Sequence, residues 1–63
     1  MKNLELISIR KDRGLTQAQV ASRSNITVRG YQYFENGQLP NVKIALRIAD
    51  VLGVSDLRIL WKY

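Results

Sequence analysis

The sequence predicts a small all-α domain of five helices, on three observations. Its 63 residues contain five segments that begin at residues able to cap a helix, and four of these segments end at glycine or asparagine. Within the longer segments, apolar residues recur at spacings of three and four, which is typical of an amphipathic helix. The chain has no cysteine, so aliphatic packing must hold the fold together without disulfides. We expect one domain over residues 1–63, with a modest core.

The charge balance favours polyanionic partners. Ten Lys and Arg stand against five Asp and Glu, which gives a formal net charge of +5 at pH 7. A merely soluble basic protein would carry the same charge. Without histidine or cysteine, the chain can form neither a zinc finger nor a histidine-based catalytic site. Because it also has few carboxylates and no Gly-rich phosphate loop, we expect no enzyme activity, metal, cofactor or small-molecule ligand.

Two absences bear on localisation. No apolar run approaches the length of a membrane-spanning helix, and the N-terminus lacks the pattern of a secretion signal. We therefore expect a cytoplasmic protein with no membrane partner.

The first helix is predicted to begin after Asn3, which can cap it, and to continue to about Arg13. Leu6 and Ile9 lie three apart on one face, which should be buried. Arg10 lies one turn after Leu6, close to this stripe. If the core covers its guanidinium, that group needs an acceptor.

The next two helices are predicted from their caps. Thr16 and Gln19 form a capping box, in which each side chain bonds to the other residue's backbone N–H, so a helix should begin at Thr16. Asn25 tolerates positive φ and suits the turn that follows. Thr27 can cap a further helix over residues 28–35, which ends at an Asn-Gly stop signal.

The third helix has one apolar side and one side with DNA-binding chemistry. Tyr31 and Phe34 are three apart and should face inward. The other side carries a branched aliphatic group, a guanidinium, an amide and an aromatic ring, from Val28, Arg29, Gln32 and Tyr33. These groups suit the base edges and sugars exposed in a DNA major groove. The alternative is an ordinary solvated helix face.

The fourth helix is predicted over residues 42–52, after Pro40 and the cap residue Asn41. Its core positions repeat at three and four: Ala45, Ile48, Ala49 and Leu52. Gly53 should end it.

A short last helix is predicted with Ser55 as cap and Asp56 in its first turn. Its large apolar residues are too many for one thin helix to bury: Leu57, Ile59, Leu60 and Trp61. We therefore expect some to be exposed, with Leu57 and Trp61 forming a dimer surface. The alternative is core packing, at least for Ile59 or Leu60.

Taken in order, several motifs resemble the phage repressor and Cro type of helix-turn-helix domain, the Xre family. They are Leu15-Thr16-Gln17, Ala21, Asn25-Ile26-Thr27, Glu35-Asn36-Gly37, Pro40, residues 45–49 and residues 52–55. The match covers nearly the whole chain without a gap. It implies a compact five-helix, lambda-repressor-like domain with a helix-turn-helix formed by helices 2 and 3. It also implies that the third helix enters the major groove and that two copies bind a roughly palindromic DNA operator.

The resemblance also implies which residues contact DNA. Base contacts would come from Gln17, Val28, Arg29, Gln32 and Tyr33. Arg29 can reach guanine O6 and N7, while the Gln17 side chain would either brace the third helix or touch a base. Phosphate contacts would come from Thr16, Gln17, Asn36 and Lys43. The backbone N–H of Gln17 suits a phosphate because it lies at a positive helix end.

In the family's pattern an arginine at the place of Arg10 pairs with the glutamate before Asn-Gly, here Glu35. The resemblance thus implies a structural ion pair that ties the first helix to the end of the third. The alternative is two unrelated surface charges.

The sequence departs from the family pattern at a few positions. Asn25 stands where Gly is commonest, and Tyr31 replaces an aliphatic residue, so its hydroxyl needs a partner if buried. Gly30 within the third helix costs about 0.5–1 kcal/mol relative to Ala. It implies a looser helix or a close approach to a partner. The loop after Gly37 has no cluster of basic residues.

Two functions follow from this sequence. The first is a sequence-specific DNA-binding regulator of transcription, which we expect to act as a homodimeric repressor. The second is an antitoxin or another protein-interaction module on the same fold, with a protein partner in addition to DNA.

Overall fold

Four α-helices and one 3₁₀ turn form the regular structure of the chain. A computed structural model describes residues 1–62, and the elements in this range are α1 (Leu4–Asp12), α2 (Gln17–Arg23), α3 (Val28–Glu35), α4 (Val42–Leu52) and the 3₁₀ turn Leu57–Ile59. No strand occurs among these residues, so the predicted all-α class is confirmed. The predicted domain end at residue 63 lies outside the described residues.

All four helices begin at the predicted cap. The side chains of Asn3, Thr16, Thr27 and Asn41 each accept a hydrogen bond from the backbone N–H three residues further on. The capping box is complete, because the Gln19 side chain also accepts from the Thr16 N–H at 2.9 Å. These bonds satisfy N–H groups that the helix itself leaves unpaired. Because each bond joins residues only three apart, the caps can be predicted from the sequence.

The core is built from one face of each helix together with the C-terminal segment. Its buried members are Leu6, Val20, Ala21, Tyr31, Ala45, Ile48, Ala49, Leu52, Leu60 and Trp61. The predicted core positions of α4 are all among them. α2 packs against both α3 and α4, and the buried alanines of α2 and α4 are small enough for close helix packing.

The C-terminal segment differs from its prediction, because the expected fifth helix is only a three-residue 3₁₀ turn. Its cap is Asp56 and not Ser55, since the Asp56 carboxylate accepts from the Arg58 N–H at 2.9 Å. A bond to the N–H two residues on makes a tight turn. After the turn, Leu60 and Trp61 are both buried, so the chain enters the core here and does not continue as a helix.

The prediction that Leu57 and Trp61 form an exposed dimer surface is wrong for Trp61, whereas for Leu57 it stays a prediction. Trp61 is only 3% exposed, and Leu57 is partly buried against the core. Burying the large indole removes much apolar area from water, which explains why the segment turns inward. Core packing, the alternative, is correct for Leu60, whereas Ile59 remains 50% exposed. Dimerisation itself stays a prediction.

The N-terminal residues hold the end of α3 and the C-terminal segment together. The Asn3 backbone N–H donates to the Glu35 carbonyl at 2.9 Å, and its side-chain Nδ2 donates to the Leu60 carbonyl at 2.7 Å. Next to them, Met1 packs so closely on Gly37 that a Cβ at this glycine would clash with the Met1 carbonyl. Position 37 therefore favours glycine for two reasons. Its φ is positive, at 110°, and Met1 leaves no space for a Cβ.

The Asn3 side chain both caps α1 and bonds to the distant Leu60 carbonyl. Its removal should therefore lower stability more than the removal of a cap alone. We expect Asn3→Ala to lower the free energy of unfolding by about 2–3 kcal/mol, from the cap and from the unpaired Leu60 carbonyl. Urea denaturation measures this difference. The matched control is Asn41→Ala, which removes an exposed cap and should cost about 1 kcal/mol. Equal losses for the two variants would contradict the long-range role of Asn3.

Candidate nucleic-acid interface

Local hydrogen bonds hold the turn between α2 and α3. Asn25 adopts the predicted left-handed conformation with φ of 60°. Ile26 donates its backbone N–H to the Ala21 carbonyl at 3.0 Å, and its side chain packs against the core. Thr27 then caps α3 by accepting from the Gly30 N–H at 3.0 Å. α2 and α3 thus form a helix-turn-helix unit with an ordered turn.

α3 buries one side and exposes the other. The Tyr31 side chain is completely buried, and Phe34 packs against the core. The four predicted groove residues of α3 all lie on its exposed side: Val28, Arg29, Gln32 and Tyr33. Val28 is 40% exposed and Tyr33 is 48% exposed, and Arg29 forms no ion pair with any of residues 1–62. The fold therefore leaves this face open to a partner.

Gly30 lies in the first turn of α3, at the residue whose N–H the cap binds. A Cβ at this position would lie 3.1 Å from the Thr27 Oγ1, which is closer than side-chain contacts normally allow. Gly30 therefore leaves space for the capping hydroxyl. The sequence alone suggests a looser helix or a close approach to a partner, and it gives no sign of this steric reason.

The residues predicted to contact phosphate lie at three helix ends. Thr16 precedes α2, Asn36 follows α3, and Lys43 lies in the first turn of α4, all with exposed side chains. The Thr16 Oγ1 accepts from the Gln19 N–H at 3.1 Å, which leaves its O–H as a donor. Each of these residues is accessible to a phosphate oxygen.

A buried ion pair joins α1 to the last residue of α3. The Arg10 Nε lies 2.6 Å from the Glu35 Oε2, and the two side chains are only 11% and 5% exposed. Arg10 also donates to the Leu15 carbonyl at 2.9 Å. The alternative of two unrelated surface charges is excluded by this burial. The pair fixes α1, the loop before α2 and the end of α3 relative to one another.

Gln17 extends this cluster toward the surface. Its side-chain Nε2 donates to the Glu35 Oε1 at 2.9 Å, and its Oε1 accepts from the Gln32 Nε2 at 3.2 Å. The amide therefore braces α3 from α2, which is one of the two roles considered for it. Sequence patterns give no signal for this contact, because residues 17 and 32 belong to different helices.

The same cluster sets the charge states of two buried groups. Burial alone would raise the pKa of Glu35, but the hydrogen bonds from Arg10 and Gln17 outweigh this effect and hold the pKa below its ordinary value. Burial raises the pKa of Tyr31, and the neighbouring Glu35 carboxylate raises it further. The buried Tyr31 hydroxyl makes no hydrogen bond of good geometry within residues 1–62. At neutral pH, Glu35 is ionised and Tyr31 is neutral.

Breaking the buried pair should destabilise the domain strongly. We expect Glu35→Gln to lower the free energy of unfolding by about 3–5 kcal/mol, because it leaves the Arg10 guanidinium buried without a countercharge. Thermal or urea denaturation measures this loss. The matched control is Asp12→Asn, which removes the exposed Asp12–Arg13 pair at 2.8 Å and should change stability by less than about 1 kcal/mol. Similar effects of the two variants would refute the role given to Glu35.

The Tyr31 hydroxyl should reduce stability at alkaline pH. Because the pKa of Tyr31 is raised in the folded state, the unfolded chain loses this proton first, so stability falls as pH rises above about 10. Tyr31→Phe should flatten this decline, and at pH 7 it should change stability by less than about 1 kcal/mol. Urea denaturation between pH 7 and 11 tests both expectations, with Tyr33→Phe as the comparison. A Tyr31→Phe decline as steep as that of Tyr33→Phe would contradict them.

The described residues contain neither a membrane-spanning helix nor a metal-binding cluster. Every helix within residues 1–62 is too short or too polar to span a membrane. Among the same residues, no group of acidic side chains is arranged to hold a metal ion.

Comparison with known proteins agrees with this geometry. A family model described as Helix-turn-helix matches residues 6–59, which covers α2, α3, α4 and most of α1. No curated protein and no solved structure matches the chain significantly. The chain belongs to the Cro/C1-type helix-turn-helix family, a family of DNA-binding regulators of transcription.

Proposed function

We propose that this protein represses transcription by binding a roughly palindromic DNA operator as a homodimer, with α3 in the major groove. The observation that carries the proposal is the open outward face of α3, which is fixed from behind by the buried Tyr31 and Glu35. A DNA-binding helix needs both properties, since its base contacts depend on a rigid presentation. The net charge of +5 provides attraction to the phosphates.

Three exposed residues of α3 each have a base contact suited to their chemistry. Arg29 can donate two hydrogen bonds to guanine O6 and N7, and Val28 can pack against a thymine methyl group. Tyr33 offers a ring and a hydroxyl to a base or sugar. Arg29 supports this assignment best, because it has no partner of opposite charge within residues 1–62.

Contacts to phosphate would position α3 without specifying sequence. We assign them to the Gln17 backbone N–H, Thr16, Asn36 and Lys43, which all lie at helix ends. Gln17 contributes its backbone here, because its side-chain amide is engaged with Glu35 and Gln32.

Arg29 and Lys43 should give different effects on DNA binding. Arg29→Ala should relax the preference at one base pair by about 1–3 kcal/mol, because it removes a bidentate contact to guanine. Lys43→Ala should weaken all sequences alike and reduce the slope of log affinity against log salt by about one. Fluorescence anisotropy with operators selected from a random pool measures both effects.

The control for Lys43 is Lys11→Ala, an equal charge change at an exposed position of α1. It should affect the salt slope less than Lys43→Ala does. If Arg29→Ala weakened every sequence uniformly, the assignment of base recognition to Arg29 would fail.

The selected operator and its stoichiometry test the dimer. Two protein copies on half-sites about 10 bp apart are expected for this docking geometry. A single half-site bound by one copy would contradict the dimer but not DNA binding. Co-purification with an unrelated protein at a fixed ratio would support the antitoxin alternative.

A further inference from the structure

A chain of side-chain hydrogen bonds leads from the buried Glu35 to the exposed face of α3. The Gln17 Nε2 lies 2.9 Å from the Glu35 Oε1, and the Gln32 Nε2 lies 3.2 Å from the Gln17 Oε1. Glu35 is 4% exposed, whereas Gln32 is exposed to solvent. The chain therefore links a fixed buried charge to a side chain at the proposed DNA interface.

The direction of each bond follows from the carboxylate. An ionised carboxylate can only accept, so Gln17 must turn its NH₂ group toward Glu35. The oxygen of the Gln17 amide then points to Gln32, which must donate through its own NH₂ group. This orientation leaves the Gln32 Oε1 without a partner in the part of the chain that the structure describes.

We propose that Gln32 recognises an A·T base pair, and that Gln17 and Glu35 are positioning residues that fix the orientation of its amide. The proposal rests on the proposed DNA-binding function. With one N–H of the Gln32 amide directed to Gln17, its oxygen and its second N–H stay available to a partner. They form an edge of one acceptor and one donor, which matches the N6 amino group and N7 of adenine in the major groove.

The same edge discriminates against guanine. Guanine presents acceptors at both O6 and N7, so the Gln32 oxygen would meet a second oxygen and lose its bond. An amide free to rotate could avoid this conflict by turning over. The bond to Gln17 prevents the rotation, because a reversed Gln32 would place its oxygen against the oxygen of Gln17. Prior fixation also reduces the entropy that Gln32 would lose on binding.

Substitution of Gln17 tests the positioning role without touching a base directly. Wild-type protein should bind its selected operator about 5- to 150-fold more tightly than a variant in which the A·T pair at the Gln32 position is replaced by G·C. Gln32→Met identifies this pair, because discrimination should disappear there alone. Gln17→Met should reduce discrimination at the same pair by at least fivefold and leave the preference at the Arg29 position unchanged.

A double substitution separates positioning from general disorder of α3. Gln17→Met combined with Gln32→Met should lose no more discrimination at this pair than Gln32→Met alone, since both act through one amide. Gln38→Met, at an exposed glutamine in the loop after α3, is the control and should retain the wild-type ratio. A merely structural role of Gln17 would instead lower discrimination at every base pair.

The outcomes distinguish this inference from the proposed function. If no DNA sequence is selected, the function itself fails. If an operator is selected but Gln17→Met leaves discrimination unchanged at all pairs, only the positioning role fails. A preference for guanine at the pair identified by Gln32→Met would overturn the assigned amide orientation.

Discussion

The buried pair between Arg10 and Glu35 is the interaction on which the placement of α3 depends. A 2.6 Å contact between groups that are almost fully covered requires directional bonds on every side, because desolvation would otherwise outweigh the attraction. Arg10 donates to the Leu15 carbonyl, and Glu35 accepts from the Gln17 amide. The ion pair therefore connects α1, the loop before α2, α2 and α3. The small hydrophobic core packs these helices together, whereas this cluster fixes their positions relative to one another.

α3 needs such external support because it is short. Its eight residues are fewer than an isolated helix requires to be stable in water. The cap at Thr27 secures its beginning, and Asn3 secures its end by donating to the Glu35 carbonyl at 2.9 Å. Order in α3 thus comes from caps and tertiary contacts together, and both ends are fixed before any DNA is present.

Features that depend on a few neighbouring residues could be predicted from the sequence, whereas contacts between distant parts of the chain could not. The caps and the left-handed Asn25 depend on neighbouring backbone groups, so residue type alone predicted them. The burial of Trp61 depends on packing with core residues from distant parts of the sequence, so sequence pattern misplaced it on the surface. The family resemblance supplied the Arg10–Glu35 contact, but no local pattern could show that Gln17 continues it to Gln32.

The exposed face of α3 contains two kinds of position that differ in their freedom to change. The side chains of Arg29 and Tyr33 make no hydrogen bond within residues 1–62, so substitutions there can alter DNA preference at little cost to the fold. Gln32 is joined through Gln17 to the buried charge. A change at Gln32 alters the surroundings of Glu35, and a change at Glu35 alters the amide that faces DNA. At Arg29 and Tyr33, base preference can therefore change separately from stability, whereas at Gln32 the two are coupled.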